Sequence, residues 1–421
     1  MQRNTKNFSL SRRKNFKQQM LSWANQFSIC CFLDNNQYTG KHHSYEWLLA
    51  ADALTFFSPD KNIFDSLQHF YETNNDWLFG HFGYDLKNEI EKLSSSNTDN
   101  IQFPDIFLFQ PRIVIYGDDS VITISCLQDD PSDVFKAIQA LAINNIRQVP
   151  SNISIPVQSR ISKEEYLRTI PLLQQHILRG DCYEINYCIE FFAEDVTVNP
   201  LNIYQQLTNI SPNPFSCYYK CNDKYLFCAS PERYIKKQGN TIISQPVKGT
   251  IQRNNTNNYA DENNKMHLQE SSKDRSENVM IVDLVRNDLS KLCREGSVHV
   301  EELFGIYTFP QVHQMISTIE GELKDNINLA AILKATFPMG SMTGAPKKRV
   351  MELIEQYEQT KRGIFSGAVG YITPEKDFDF NVVIRSIMYN ANKKYLSYQV
   401  GSGITFYSNA EQEYDECLLK A

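Results

Sequence analysis

The sequence predicts an α+β fold with a largely antiparallel sheet. Three observations carry this reading. Runs at 366–373 and 378–389 are rich in β-branched and aromatic residues and read as strands. Met280, Ile281, Leu284, Leu289 and Leu292 recur at helical spacing. Helices and strands alternate irregularly, without the regular helical crossovers of a doubly wound sheet. With 421 residues, 42% hydrophobic and 12% aromatic, the chain has apolar surface enough for a core and is not predominantly disordered. Its formal charge of −7 weighs against nucleic acid as a partner, because phosphate binding needs a basic surface. No apolar run reaches the ~18–20 residues a spanning helix needs, so no membrane partner is expected.

Taken in order, residues 1–33 contain no acid, and Arg3, Lys6, Arg12, Arg13, Lys14 and Lys17 lie among the first twenty. They read as a solvated basic first helix. An apolar h-region and a small-residue cleavage site are missing, so this is no secretory signal. Ten cysteines are scattered singly, without paired C-x-x-C zinc spacing, and read as reduced thiols of a cytoplasmic protein. The polar stretch at 145–160, with Pro150 and Pro156, is the expected connection between an N-terminal region (1–150) and the rest (160–421). The Asn-rich segment 254–264 reads as a loop. Ser271, with Asp274 three residues on, caps the next helix. In the loop 337–346, Gly340 and Gly344 permit tight turns, and Pro346 suits the start of a helix over 347–358. A last helix is expected after Ser408, with Glu411 three residues later.

Several residues admit two readings. Glu277 lies near the apolar side of its helix, as a dipole-favoured N-terminal acid or as a carboxylate awaiting a cation. Glu416 and Lys420, one turn apart, form an exposed salt bridge, or hold a metal and a substrate carboxylate respectively. Lys248, beside Gly249, is a turn residue or a desolvated amine able to act as a nucleophile. His313 is a satisfied core histidine or a site residue. Gly401 and Gly403 allow a ligand to approach the backbone.

The order of the motifs decides between these readings. GDCYEINYCIEF (180–191), ASPERYI (229–235), QPVKGT (245–250) and the segment 273–293 are followed by VHQMISTIEGEL (312–323), the 337–355 loop and helix, 362–372, 379–386 and GSGITFYSNAEQEYDECLLKA (401–421). Together they resemble the chorismate-utilising enzymes: anthranilate synthase component I, aminodeoxychorismate synthase component I, isochorismate synthases and salicylate synthases. A weaker likeness to the ammonia-using members covers 80–91 and 103–112. The resemblance implies the anthranilate synthase component I-type fold, with two facing antiparallel sheets, outer helices and a central cleft. It implies a single intertwined unit in place of two independent domains. It implies a Mg²⁺ ion held by Glu277 and Glu416. It places Arg385, Lys420, Gly401 and Gly403 on substrate carboxylates, with Gly249, Thr250, Thr343 and Gly344 lining the same pocket. His313 is matched to a family histidine near the C4 hydroxyl, and Glu232 to the general acid that protonates it.

Position 248 distinguishes the branches. A small residue is usual in anthranilate and isochorismate formers, whereas aminodeoxychorismate formers commonly have P-x-K-G-T, as in Pro246-Val247-Lys248-Gly249-Thr250 here. The implied chemistry is attack of the Lys248 amine at ring C2, loss of the C4 hydroxyl, then addition of ammonia at C4. This requires a neutral amine, and hence a lowered pKa. The rivals are the anthranilate branch and a non-catalytic chorismate-binding or subunit-docking protein. Glu184 stands where the family has Gln or Lys. It is read either as attracting ammonium or holding incoming ammonia, or as merely packing against a neighbouring base. Asn35 stands where many members have a serine of a tryptophan-binding site, so tryptophan feedback is not implied. No glutaminase segment is legible, so a separate glutamine amidotransferase subunit is the expected ammonia source.

Overall fold

The computed structural model describes residues 2–10, 15–141 and 155–420. Arg12, Arg13, Lys14, Pro150 and most of the expected connection at 145–160 lie outside the described residues. In chain order the strands are β1 (Asn4–Ser9), β2 (Ile29–Asp34), β3 (Trp47–Phe57), β4 (Leu78–Phe82), β5 (Ile106–Gly117), β6 (Val121–Cys126), β7 (Gln158–Ser159), β8 (Glu184–Ala193), β9 (Phe215–Cys221), β10 (Lys224–Ser230), β11 (Arg233–Gln238), β12 (Thr241–Gln245), β13 (Val247–Gln252), β14 (His299–Thr308), β15 (Val312–Glu322), β16 (Gly344–Ala345), β17 (Ala368–Ile372), β18 (Phe378–Asn381), β19 (Ser386–Asn390) and β20 (Tyr395–Ile404). The helices are α1 (Phe16–Ala24), α2 (Ile63–Thr73), α3 (Lys87–Glu91), α4 (Pro131–Ala140), α5 (Lys163–Leu178), α6 (Pro200–Ile210), α7 (Asn258–Glu270), α8 (Ser272–Ser290), α9 (Leu329–Thr336), α10 (Lys347–Tyr357) and α11 (Ala410–Lys420).

Every pairing between these strands is antiparallel. One sheet runs β1-β6-β5-β3-β2-β9-β10-β19-β20-β8, and a second runs β4-β17-β18-β11-β12-β15 with β13 and β14 both on β15. β5 belongs to both: Ile113–Gly117 pair with β6, while Ile106–Phe109 pair with β4. The N-terminal region does not stand apart. β2 pairs with β9, and β4 with β17, so strands from before and after the connection interleave.

Alternation along the strands explains how the layers pack. In β2, Ile29 and Cys31 join the core shared with the second sheet, while Cys30 and Phe32 join the core under α1, α4 and α6. In β9, Tyr219 and Tyr218 divide the same way. Successive strand side chains point to opposite faces, so a sheet covered on both sides needs apolar residues at every position. A third core joins α5, α10 and α11 to β8 and β20. All ten cysteines are buried and free. Among the described residues, no helix is long and apolar enough to cross a membrane.

Four local expectations are corrected. The basic N-terminus is not a helix over its first turn: Asn4–Ser9 form a strand on β6, with Arg3 paired to Asp76. The Asn-rich segment is helical from Asn258, because the Asn257 side chain accepts from the Tyr259 and Ala260 amides and supplies a cap. The strand expected over 378–389 is two strands, broken at Arg385, whose φ is 52°. In α11 the capping acceptor is Asn409, bonded to the Gln412 amide, while Ser408 serves Thr405. The Ser271 cap forms as expected, on the Asp274 amide at 3.3 Å.

Candidate active site

A cleft of about 160 Å³ opens between the two sheets, with β8 and β20 on one side, β13 and β15 on the other, and α8 and α11 closing it. Lys248 reaches it from β13, where the register against β15 shifts between Val247 and Thr250. Gly249 sits at φ 93° in this bulge, a conformation only glycine adopts without strain. Its missing side chain also leaves room for Asp274, whose Cβ would lie 3.0 Å from a Cβ at 249. Thr250 and Gln314, cross-strand neighbours, face the cleft together.

Lys248 Nζ is hydrogen-bonded to Glu184 Oε1 in an ion pair that is almost wholly buried. The expectation of a lowered lysine pKa is not met. Burial alone would lower it, but the carboxylates of Glu184, Glu277 and Glu232 outweigh burial and raise it. Glu184 does not line the cleft. It lies behind Lys248 and Gly403, where a Cβ would stand 2.6 Å from its Oε1.

Glu232, in the turn between β10 and β11, is 3% exposed and accepts a 2.6 Å hydrogen bond from Ser341 Oγ. Burial pushes its carboxyl up to about 7, against the opposing pull of Ser341 and Lys248. A group so placed exchanges a proton near neutral pH and can deliver one. Glu277, one helical turn into α8, is pushed to about 7 chiefly by burial, and its Oε1 has no hydrogen-bond partner. Its nearest cation is Lys273 Nζ at 3.9 Å, and a buried carboxylate oxygen without a hydrogen bond in an open cleft fits a hard cation. Glu416 on α11 is held below the usual carboxylate range, because Lys420 at 2.6 Å outweighs its burial. Lys420 also donates to the Gly401 carbonyl at 2.9 Å.

Arg385 projects from the break between β18 and β19. A non-glycine residue in the left-handed region costs about 1–3 kcal/mol. Its guanidinium has no hydrogen-bond partner among the described residues, and Glu416 is the acid whose field reaches it. An unpaired guanidinium held in the cleft at that cost is poised for an anion.

Of the residues anticipated from sequence, Lys248, Glu232, Glu277, Glu416, Gly249, Thr250, Arg385, Gly401, Gly403 and Lys420 meet in this cleft. Three do not. His313 points to the opposite face of β15, between Thr308 and Asp261, and its neighbour Gln314 takes the cleft side. Thr343 turns its hydroxyl to the Met339 carbonyl, and Gly344 packs on β8, where a Cβ would meet the Glu184 carbonyl at 2.1 Å. Ser341 and Met342 of the same loop reach the cleft in their place. Gln314, Ser341, Asn186 and Lys273 were not anticipated. Strand alternation against Thr250 was the available signal for Gln314. A larger cavity, about 440 Å³ around Tyr38, His42 and Phe309, contains Asn35 but none of the residues anticipated for catalysis, substrate or metal.

The comparisons with known proteins identify the family and the fold. The family model described as chorismate binding enzyme matches residues 17–421. Aminodeoxychorismate synthase component 1 of Bacillus subtilis (strain 168) is 30% identical over 396 residues, covering 91% of this chain and 83% of the relative. Its namesake in Escherichia coli (strain K12) is 32% identical over 342 residues, 81% of this chain and 74% of the relative. An anthranilate synthase component I-like protein of Synechocystis sp. is 30% identical over 367 residues, 86% and 74%. Among solved structures, anthranilate synthase component I from Streptococcus pneumoniae TIGR4 superposes with a TM-score of 0.78 at 24% identity, over 91% of this chain and 94% of that one. The fold is therefore of the anthranilate synthase component I type.

Proposed function

The chain belongs to the chorismate binding enzyme family, and within it we propose that it converts chorismate plus ammonia to 4-amino-4-deoxychorismate. This is a step toward 4-aminobenzoate and folate. It would take place in the cytoplasm, with ammonia from a separate glutamine amidotransferase subunit. The observation that carries the reading is the Lys248 amine in the cleft together with Glu232, a carboxyl pushed by burial to about 7. A lysine and a carboxyl that exchanges its proton near neutral pH, facing one cavity, suit a displacement in which the amine, once deprotonated, adds at C2 and the C4 hydroxyl leaves with the acid's proton. Lysine at C2 excludes nitrogen from that position, so ammonia adds at C4. Relatives at 30–32% identity named for this activity support the same branch.

Arg385 and Lys420 would hold the substrate carboxylates, Arg385 through its free guanidinium fork. Gly401 and Gly403 let the ligand approach β20 closely. Glu277 and Glu416 would hold Mg²⁺, which supplies charge neutralisation for a substrate carboxylate.

The test is a product assay with chorismate, ammonium salt at alkaline pH and Mg²⁺, with and without aminodeoxychorismate lyase. Lyase-dependent 4-aminobenzoate, lost in Lys248→Ala, is the expected result. Lyase-independent anthranilate would place the chain on the other amine-forming branch, and no turnover of chorismate at all would favour a docking role.

A further inference from the structure

The geometry points to Glu184 as the proton acceptor that frees the Lys248 amine for attack and returns the proton when the lysine departs. The inference rests on the proposed lysine chemistry. An ammonium has no lone pair, and Lys248 is held as one chiefly by its buried ion pair with Glu184 on β8. The other acids that face it are Glu232 before β11, Glu277 on α8 and Glu416 on α11. The proton must therefore leave for a base within reach. Glu184 Oε1 is already hydrogen-bonded to Nζ. Glu232 is bonded to Ser341 and must hold its own proton for the leaving hydroxyl, so it cannot also receive one. Neither Glu277 nor Glu416 is hydrogen-bonded or ion-paired to Lys248 among the described residues.

Glu184 is also shut away from the substrate. It is 1% exposed, and the Gly403 backbone and the Lys248 side chain stand between it and the cleft. That placement argues against the role in capturing ammonia and for one confined to the lysine. Its second oxygen, Oε2, has no hydrogen-bond partner among the described residues, so none of them competes with Lys248 for the carboxylate.

The step balances. Lys248 Nζ passes a proton to Glu184 Oε1. The freed lone pair forms the Nζ–C2 bond, both conjugated ring double bonds shift by one position toward C4, and the C4–O bond breaks as Glu232 protonates the departing hydroxyl to water. When ammonia adds at C4, the C2–Nζ bond breaks with its electron pair returning to nitrogen. The neutral lysine then recovers its proton from Glu184, and Glu232 takes one from the new ammonium group.

The experiment follows the rate of covalent adduct formation, by intact mass, in protein mixed with chorismate without ammonia. The adduct gains the mass of one chorismate less one water. Ammonia-dependent turnover across pH is measured in parallel, so the result does not depend on the adduct accumulating. Glu184→Gln is expected to slow both by about 10²–10³-fold at pH 7. It should recover toward the wild-type rate as pH rises, because solvent can deprotonate a lysine relieved of its carboxylate. Glu184→Asp, which keeps a carboxylate, should keep the wild-type pH profile. Unchanged rates in Glu184→Gln, or a loss by one constant factor at every pH, would overturn the inference. Full turnover in Lys248→Ala would instead remove the lysine chemistry beneath it.

Discussion

Glu232→Gln is expected to abolish turnover and to stabilise the protein increasingly as pH rises above 4.5, reaching its full effect above neutral pH. The carboxyl is buried, and its folded-state pKa is about 7 against an ordinary 4.5. Below pH 4.5 the folded and unfolded chains both carry the proton and no penalty exists. Between 4.5 and 7 the unfolded chain releases the proton while the folded one keeps it, so stability falls as pH rises. Above 7 the folded protein must bury the charge, at a full cost of about 3 kcal/mol. Glutamine retains an acceptor for Ser341 Oγ and cannot ionise. Any cost of burying its amide is the same at every pH, so the informative quantity is the difference between two pH values. For a chain of this length, about 3 kcal/mol corresponds to a shift of about 3–4 °C. Calorimetry at pH 5 and pH 8 should show the variant gaining most of that on wild type between them. An equal offset at both pH values would mean the carboxyl ionises at its ordinary pKa, and its role as a neutral-pH proton donor would fall with it.

Two further outcomes follow from the cleft. Mg²⁺ should raise the melting temperature of the wild-type protein in the absence of chorismate, by mass action on the folded state, and Glu277→Gln should remove the increase. A response that survives the substitution would place the ion elsewhere. Gln314→Leu should reduce kcat/KM for chorismate by about tenfold without loss of thermal stability. The Gln314 Oε1 is buried without a hydrogen-bond partner among the described residues, and its Nε2 makes only a 3.5 Å bond to Thr250 Oγ1, so an apolar replacement costs the fold little. His313→Gln should do the reverse, lowering the melting temperature and leaving KM alone, because that ring bridges Thr308 and Asp261 outside the cleft. Steady-state kinetics and melting curves on the pair decide which residue faces the substrate.

The difference between those two residues shows where sequence reasoning reached its limit. Antiparallel architecture was legible because the strand runs, the capped helix at Ser271 and the absence of regular crossovers are local signals. The site was legible where a motif fixes both residue type and backbone shape, as at Lys248-Gly249, where the glycine makes the bulge. It failed where a side chain's direction depends on strand register. A shift of one residue in a strand exchanges cleft for core, and that exchange separates His313 from Gln314. The N-terminal strand was missed for a related reason. Asn4 pairs with Cys126, and no property of residues 4–9 alone announces a partner so distant in sequence.

Glu184 shows the same limit at the chemistry itself. Its substitution for the usual Gln or Lys was visible in the chain, but its partner lies 64 residues away, on the other wall of the cleft. The pair is possible only because of a third position. A Cβ at Gly403 would sit 2.6 Å from Glu184 Oε1 and 3.0 Å from Lys248 Nζ. The glycine expected to admit the substrate to the backbone of β20 therefore also makes the space in which the nucleophile meets its acid. Any side chain there would have to displace one of them. The charge that raises the Lys248 pKa and the base that can relieve it are the same carboxylate, so the resting ion pair is also the first proton transfer of the proposed reaction.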